Sequence, residues 1–168
     1  CGLMLADAGA RVIKIERKEG DFARGYDRGA NGNSVFFSWL NRGKESIAID
    51  LNSDDDEALL RSMLEKADVF LHNLAPGALA RRGFGGDALR EHNSGLITCE
   101  INGYGSSGPG ARKKAYDFLV QAESGICAIN GTREQPARVG ISICDIASGQ
   151  TAFSSILRAL IQRGRTGT

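Results

Sequence analysis

The chain has 168 residues and a mass of 17.9 kDa, with 21 Lys plus Arg against 20 Asp plus Glu. A net charge of +1 excludes a nucleic-acid binder that works through bulk basic charge, which needs a clustered positive excess. The apolar share of 42% supports a core, and no apolar run approaches the roughly 18 residues that span a bilayer.

Gly2 to Ala10 carries apolar residues at helical spacing (Leu3, Met4, Ala6) and stops at Gly9, which suits the position just past a helix end. Val12–Glu16 reads as a strand, followed by a charged, glycine-bearing loop from Arg17 to Asn33 and an apolar, aromatic patch from Ser34 to Leu40. Ser46–Asp50 predicts a second strand. Asn52 to Glu57 opens a helix running to about Ala67, with an acidic first turn that suits the positive end of the helix dipole. Val69–Asn73 predicts a third strand, ending before a Pro76-Gly77 turn and a short helix, and Leu96–Ile101 predicts a fourth. Tyr116 to Ile129 is helical in pattern, Arg138 to Cys144 is short and partly alternating, and Asp145 begins a long amphipathic helix to about Gln162 ahead of a basic tail. Strands alternating with helices predict βαβ units and a doubly wound parallel sheet. Such a sheet normally begins with a strand. The opening helix, with no initiator Met before Cys1, therefore predicts a piece of a longer protein.

Cys1, Cys99, Cys127 and Cys144 form no CxxC pair, and His72 and His92 are not spaced with them as a zinc site requires. Reduced thiols, no metal and a cytoplasmic location are the expectation. Gly103-Tyr104-Gly105-Ser106-Ser107-Gly108 matches a dinucleotide-binding glycine pattern literally. Pro109-Gly110-Ala111-Arg112 does not read as a helix start, however, and a loop or lid is expected there.

Asp145 lies at the junction Ile143-Cys144-Asp145-Ile146-Ala147. One reading is a plain helix N-cap. The other is a carboxylate nucleophile kept ionised and aimed by the free N–H groups of a helix start. Arg17, Asn73, Arg81, Arg82 and Lys114 fall at strand ends or in loops, where doubly wound sheets bind ligands. The residues alone lead to an α/β crevice that binds a small anionic molecule beside a candidate catalytic carboxylate.

Several segments then carry a resemblance to the family III CoA-transferases, the CaiB/BaiF group that includes α-methylacyl-CoA racemase. They are Leu5–Glu16, Asn41–Ile47, Ala67–Phe70 leading to Asn73-Leu74-Ala75-Pro76-Gly77, Gly103-Tyr104-Gly105, Tyr116–Ala122 and Cys144–Gly149. The resemblance runs along essentially the whole chain. It implies a Rossmann-like parallel sheet with flanking helices, residues 1–168 being a partial CoA-binding large domain without its first strand and its C-terminal small domain. It implies CoA transfer from an acyl-CoA to a carboxylic acid, with Asp145 as nucleophile and Asp117 as an acidic residue near the active centre. It carries CoA contacts onto Arg17, Ile49, Asn73, Leu74, Ala78, Arg81 and Lys114. It further implies coenzyme A or acyl-CoA as substrate, no metal, no nucleic-acid or membrane partner, and an interlocked homodimer. A small dicarboxylate acceptor with succinyl-CoA as donor is the expected pair. A 2-methylacyl-CoA racemase is the alternative within the family. That branch places a His where this chain has Tyr116, and a phenol, titrating ordinarily near about 10, is a poor base at neutral pH. A non-catalytic CoA-binding fragment is the alternative outside catalysis.

Overall fold

In the computed structural model, which describes residues 1–111 and 113–167, the chain divides into two compact units, the first ending at Ala67 and the second starting at Asp68. Arg112, the last residue of the stretch after the glycine-rich loop, and Thr168 lie outside the described residues.

The first unit opens with α1 (Gly2–Asp7). Gly9 closes it with φ +93°, its N–H donating to Ala6 O and that of Ala10 to Leu5 O, the paired bonds of a Schellman end. β1 (Val12–Glu16) pairs in parallel with β2 (Lys44–Ala48), Val12 opposite Lys44 and Glu16 opposite Ala48. Parallel neighbours require a crossover. It contains a 3₁₀ turn at Phe22–Gly25 and a helix, α2 (Val35–Asn41). The predicted apolar patch is therefore that helix, with Ser34 Oγ accepting from Phe37 N–H at its start. The second strand lies two residues earlier than predicted. α3 (Asp54–Leu64) begins behind Ser53, carries Asp54, Asp55, Asp56 and Glu57 in its first turn, and buries Leu60 and Leu64.

The second unit repeats the plan. β3 (Val69–His72) pairs in parallel with β4 (Ile97–Glu100), and a 3₁₀ turn (Ala80–Arg82) and α4 (Gly86–His92) lie in the crossover. The predicted C-terminal helical segment from Tyr116 is two helices, α5 (Asp117–Glu123) and α6 (Ile126–Asn130), divided at Gly125 with φ +82°. α7 (Ile143–Thr166) is the longest element and absorbs the residues expected to form a basic tail. Leu79, Phe84, Leu89, Leu96 and Ile156 form the core of this unit, each at most 5% exposed. The architecture is α/β with parallel strands and flanking helices. Among the described residues the strands form two pairs, β1–β2 and β3–β4, rather than one continuous sheet. No described helix is long and apolar enough to cross a membrane.

Candidate active site

α7 is anchored at its far end. Arg163 donates to Gly95 O (2.7 Å), just before β4, and to Asp68 Oδ1 (2.6 Å), just before β3, and the helix packs on β4. Its C-terminal turn therefore lies at the N-terminal ends of the strands. Its body rises about 1.5 Å per residue over strands only a few residues long. Asp145, 18 positions before Arg163, lies at the other end of this helix from the anchor.

Asp145 is not the helix cap. Ser142 occupies that position without a side-chain cap bond, and Asp145 is the third residue inside the helix. The capping carboxylate comes from elsewhere: Asp117, the first residue of α5, accepts from Cys144 N–H (2.8 Å) and Asp145 N–H (3.1 Å) through Oδ1. Its other oxygen accepts from Gln121 Nε2 at 2.6 Å. Asp117 thus has one oxygen on backbone N–H groups and the other on a side-chain amide. The Asp145 carboxylate has no hydrogen-bond partner among the described residues and is open to a substrate. Cover over this carboxyl, and secondarily the charge of Asp117, raise its pKa above the ordinary aspartate value. A more basic carboxylate is a better nucleophile as long as it stays ionised. The neighbouring Cys144 thiol is raised as well, by burial and then by Asp117 and Asp145, which keeps it protonated and out of competition.

Asn73, immediately after β3, and Leu74 are exposed, and Ala78 is half-buried in the turn that follows. Arg81, in the 3₁₀ turn, and Lys114, ahead of α5, are exposed cations whose side chains have no ion-pair or hydrogen-bond partner among the described residues. These positions are in the second unit, as are Asp117 and Asp145. Residues 103–110 form no helix or strand, as expected; Asn102 Oδ1 accepts from Gly105 N–H at 2.6 Å, and the next described helix is α5.

Arg17 and Ile49 belong to the first unit and are described by themselves. At the carboxyl ends of β1 and β2 a cleft of about 310 Å³ is lined by residues that include Glu16, Arg17, Lys18, Gly20, Arg24 and Ser46. Arg17 Nε donates to Gly20 O (3.0 Å), which folds its side chain over its own loop. Glu16 supports this loop from below with a side chain only 4% exposed. It accepts from Arg24 Nε and Nη2 (3.0 and 2.8 Å), Ser46 Oγ (2.8 Å) and Asp21 N–H (2.8 Å). The Arg24 bond, chiefly, holds the Glu16 carboxyl down to about 2. Ile49 is 4% exposed and packed in the core of this unit. Among the described residues, no group of three or more His, Cys, Asp or Glu side chains is placed to hold a metal ion.

Sequence reasoning singled out Asp145, Asp117 and the scattered cations. It did not find Gln121 or the Glu16 network. Glu16 gives a signal, an acid at the end of a strand that also carries Lys14, and Gln121 gives only its place four residues after Asp117 on a helix.

Known proteins share both sequence and fold with this chain. It is 42% identical over 167 residues to an acetyl-CoA:oxalate CoA-transferase of Acetobacter aceti, covering 98% of this chain and 43% of that relative. It is 39% identical over 176 residues to a succinate–glutarate CoA-transferase of Agrobacterium fabrum, covering 99% of this chain and 44% of the relative. The chain thus spans less than half the length of these relatives. A crystal structure of a CaiB/BaiF family protein from Brucella suis superposes with a TM-score of 0.91 at 35% identity, over 99% of this chain and 46% of that one. The profile of CoA-transferase family III matches residues 1–168 from end to end. By sequence and by fold, the chain belongs to CoA-transferase family III.

Proposed function

We propose that the protein transfers CoA from an acyl-CoA to a carboxylic acid, with Asp145 as the covalent nucleophile. One observation carries this reading: Asp117 of α5 is engaged in capping the start of α7, while Asp145 within that first turn is unpartnered among the described residues and its basicity raised.

The Asp145 carboxylate attacks the thioester carbonyl, the C–S bond breaks, and CoA leaves as thiolate from a mixed anhydride. The thiolate attacks the aspartyl carbonyl of that anhydride, expelling the donor carboxylate and leaving an aspartyl-CoA thioester. The acceptor carboxylate attacks this thioester to form a second anhydride and free thiolate again. Thiolate attack on the acceptor's acyl carbon releases the new acyl-CoA and restores Asp145. Each step exchanges one leaving group for one nucleophile, so no bound water or external oxidant is required. Arg17, Ile49, Asn73, Leu74, Ala78, Arg81 and Lys114 are the CoA contacts in this reading, the cations matching its phosphates and Ile49 an apolar contact. A small dicarboxylate is the acceptor and succinyl-CoA the donor. The oxalate and glutarate in the relatives' names support the acceptor class, and the succinate of the Agrobacterium relative supports the donor.

The test is mass spectrometry of the whole protein after incubation with acyl-CoA, with hydroxylamine trapping, beside calorimetry of CoA binding. An adduct on Asp145 is expected. Asp145→Asn should lose transfer by at least about 10³-fold while still binding CoA, and Arg81→Ala should weaken CoA binding. Transfer by Asp145→Asn at the parental rate would refute the mechanism.

A further inference from the structure

Gln121, in the middle of α5, is a polar side chain with 0% exposure. A buried amide must satisfy its donors and acceptor inside the protein. Nε2 donates to Asp117 Oδ2 (2.6 Å) and to Ile141 O (3.3 Å), and Oε1 accepts from Val139 N–H (2.8 Å). This arrangement fixes which end of the amide is which. Turned over, its oxygen would face a carboxylate and a carbonyl, and its NH2 would face an N–H.

Those three bonds join everything that sets the start of α7. Val139 and Ile141 belong to the irregular strap that feeds the helix, and Asp117 supplies the cap that Ser142 does not. A carboxylate pivots freely about its terminal torsion unless both oxygens are engaged. With Oδ2 clamped by Gln121, Oδ1 stays on the N–H groups of Cys144 and Asp145. Without the clamp, the cap and the strap lose their common anchor.

We propose that Gln121 is a positioning residue for the Asp145 nucleophile, acting through Asp117 and the Val139–Ile141 strap. The proposal rests on the reading of Asp145 as the nucleophile and deepens it. Gln121 touches no substrate; its bonds orient the helix turn from which the attacking carboxylate projects. A buried glutamine that only filled space would influence stability and ligand binding together, with no preference for the chemical step.

Gln121→Glu in the whole protein separates the two. The side chain is nearly isosteric and keeps an acceptor for Val139 N–H, but it turns an oxygen toward Asp117 Oδ2 and Ile141 O. In single-turnover mixing with acyl-CoA, adduct formation on Asp145 should slow by at least about 10-fold. The CoA dissociation constant should stay within about 2-fold of the parent, and kcat should fall with KM little changed. Gln121→Met, which removes all three bonds, should show the same split and decides the question if the glutamate variant does not fold. Parental adduct rates in the folded variants would overturn the proposal, as would a loss of rate matched by an equal loss of CoA affinity. A parent that forms no adduct on Asp145 would refute the nucleophile reading itself, a result visible before any Gln121 variant is measured.

Discussion

Asp117 and Asp145 are the same residue type, 28 positions apart, in different electrostatic situations. Asp117 receives two backbone N–H groups and an amide; Asp145 receives none among the described residues and sits beside the charge of Asp117. Burial first, and Asp117 second, raise the Asp145 pKa. Asp117→Asn deletes only the second cause, so the Asp145 pKa falls toward the ordinary value and the residue ionises at lower pH. The acid limb of the kcat/KM–pH profile should therefore move to lower pH. The plateau should drop, because a neutral amide oxygen caps less strongly than a carboxylate. A pH–rate series checks both, and an acid limb that stays in place or moves upward would contradict the coupling. At this scale the sequence reveals what is local. An Asp in the first turn of an apolar-periodic helix is visible, which is how Asp145 is found. The cap from Asp117 spans 27 and 28 positions and the bonds from Gln121 to the strap span 18 and 20, which leave no recognisable spacing; only the Asp117–Gln121 pair, four residues apart on α5, does.

Element existence was legible wherever apolar runs were long or capped, as in β1, β3, β4, α3 and α7. The short helix expected after the Pro76-Gly77 turn is α4, but its seven residues, starting at Gly86 behind Gly85, are too few for a helical period to fix its bounds. α5 and α6 read as one helix because the apolar period runs through Gly125, whose left-handed conformation divides them. The basic residues after Gln162 looked like a solvated tail, yet Arg163 is the bolt that holds α7 against the starts of β3 and β4. Of its two bonds, the one to Gly95 O is part-buried, whereas Asp68 is 74% exposed and contributes little through charge alone. Arg163→Ala should therefore destabilise the second unit by about 1–2 kcal/mol, and Asp68→Asn by less than about 1 kcal/mol. Urea denaturation of both variants gives the comparison; equal losses would show that the ion pair, rather than the carbonyl bond, anchors the helix.

Across the whole molecule, the two units are built to fail at different acidities. In the second, His72 lies on β3 opposite Glu100, and its Nδ1 is buried without a partner among the described residues. Burial pushes its imidazole below 6.5, against a smaller opposing pull from Glu100. The unfolded chain therefore binds that proton first, and stability is lost as pH falls below about 6.5. Asp145 acts in the opposite sense: with its pKa raised, protonation favours the folded second unit and recovers part of that loss. In the first unit the shifts are downward. Glu16 is held at about 2 from 4.5, and Asp27, which accepts from Val35 and Gly29 N–H, at about 2 from 3.8. Their stabilisation is complete above the unfolded values and disappears as pH falls from about 4.5 toward 2. For the buried Glu16 it amounts to up to about 3 kcal/mol, a large share of what a unit this small can hold. Hydrogen exchange corrected for intrinsic rates should show residues 69–72 and 97–100 losing protection first, from about pH 6.5 downward. Residues 12–16 and 44–48 should hold until below about 4.5, and Glu16→Gln should weaken them at neutral pH while flattening this second step. Loss of protection in both units over one shared pH interval would show that neither His72 nor Glu16 governs its unit.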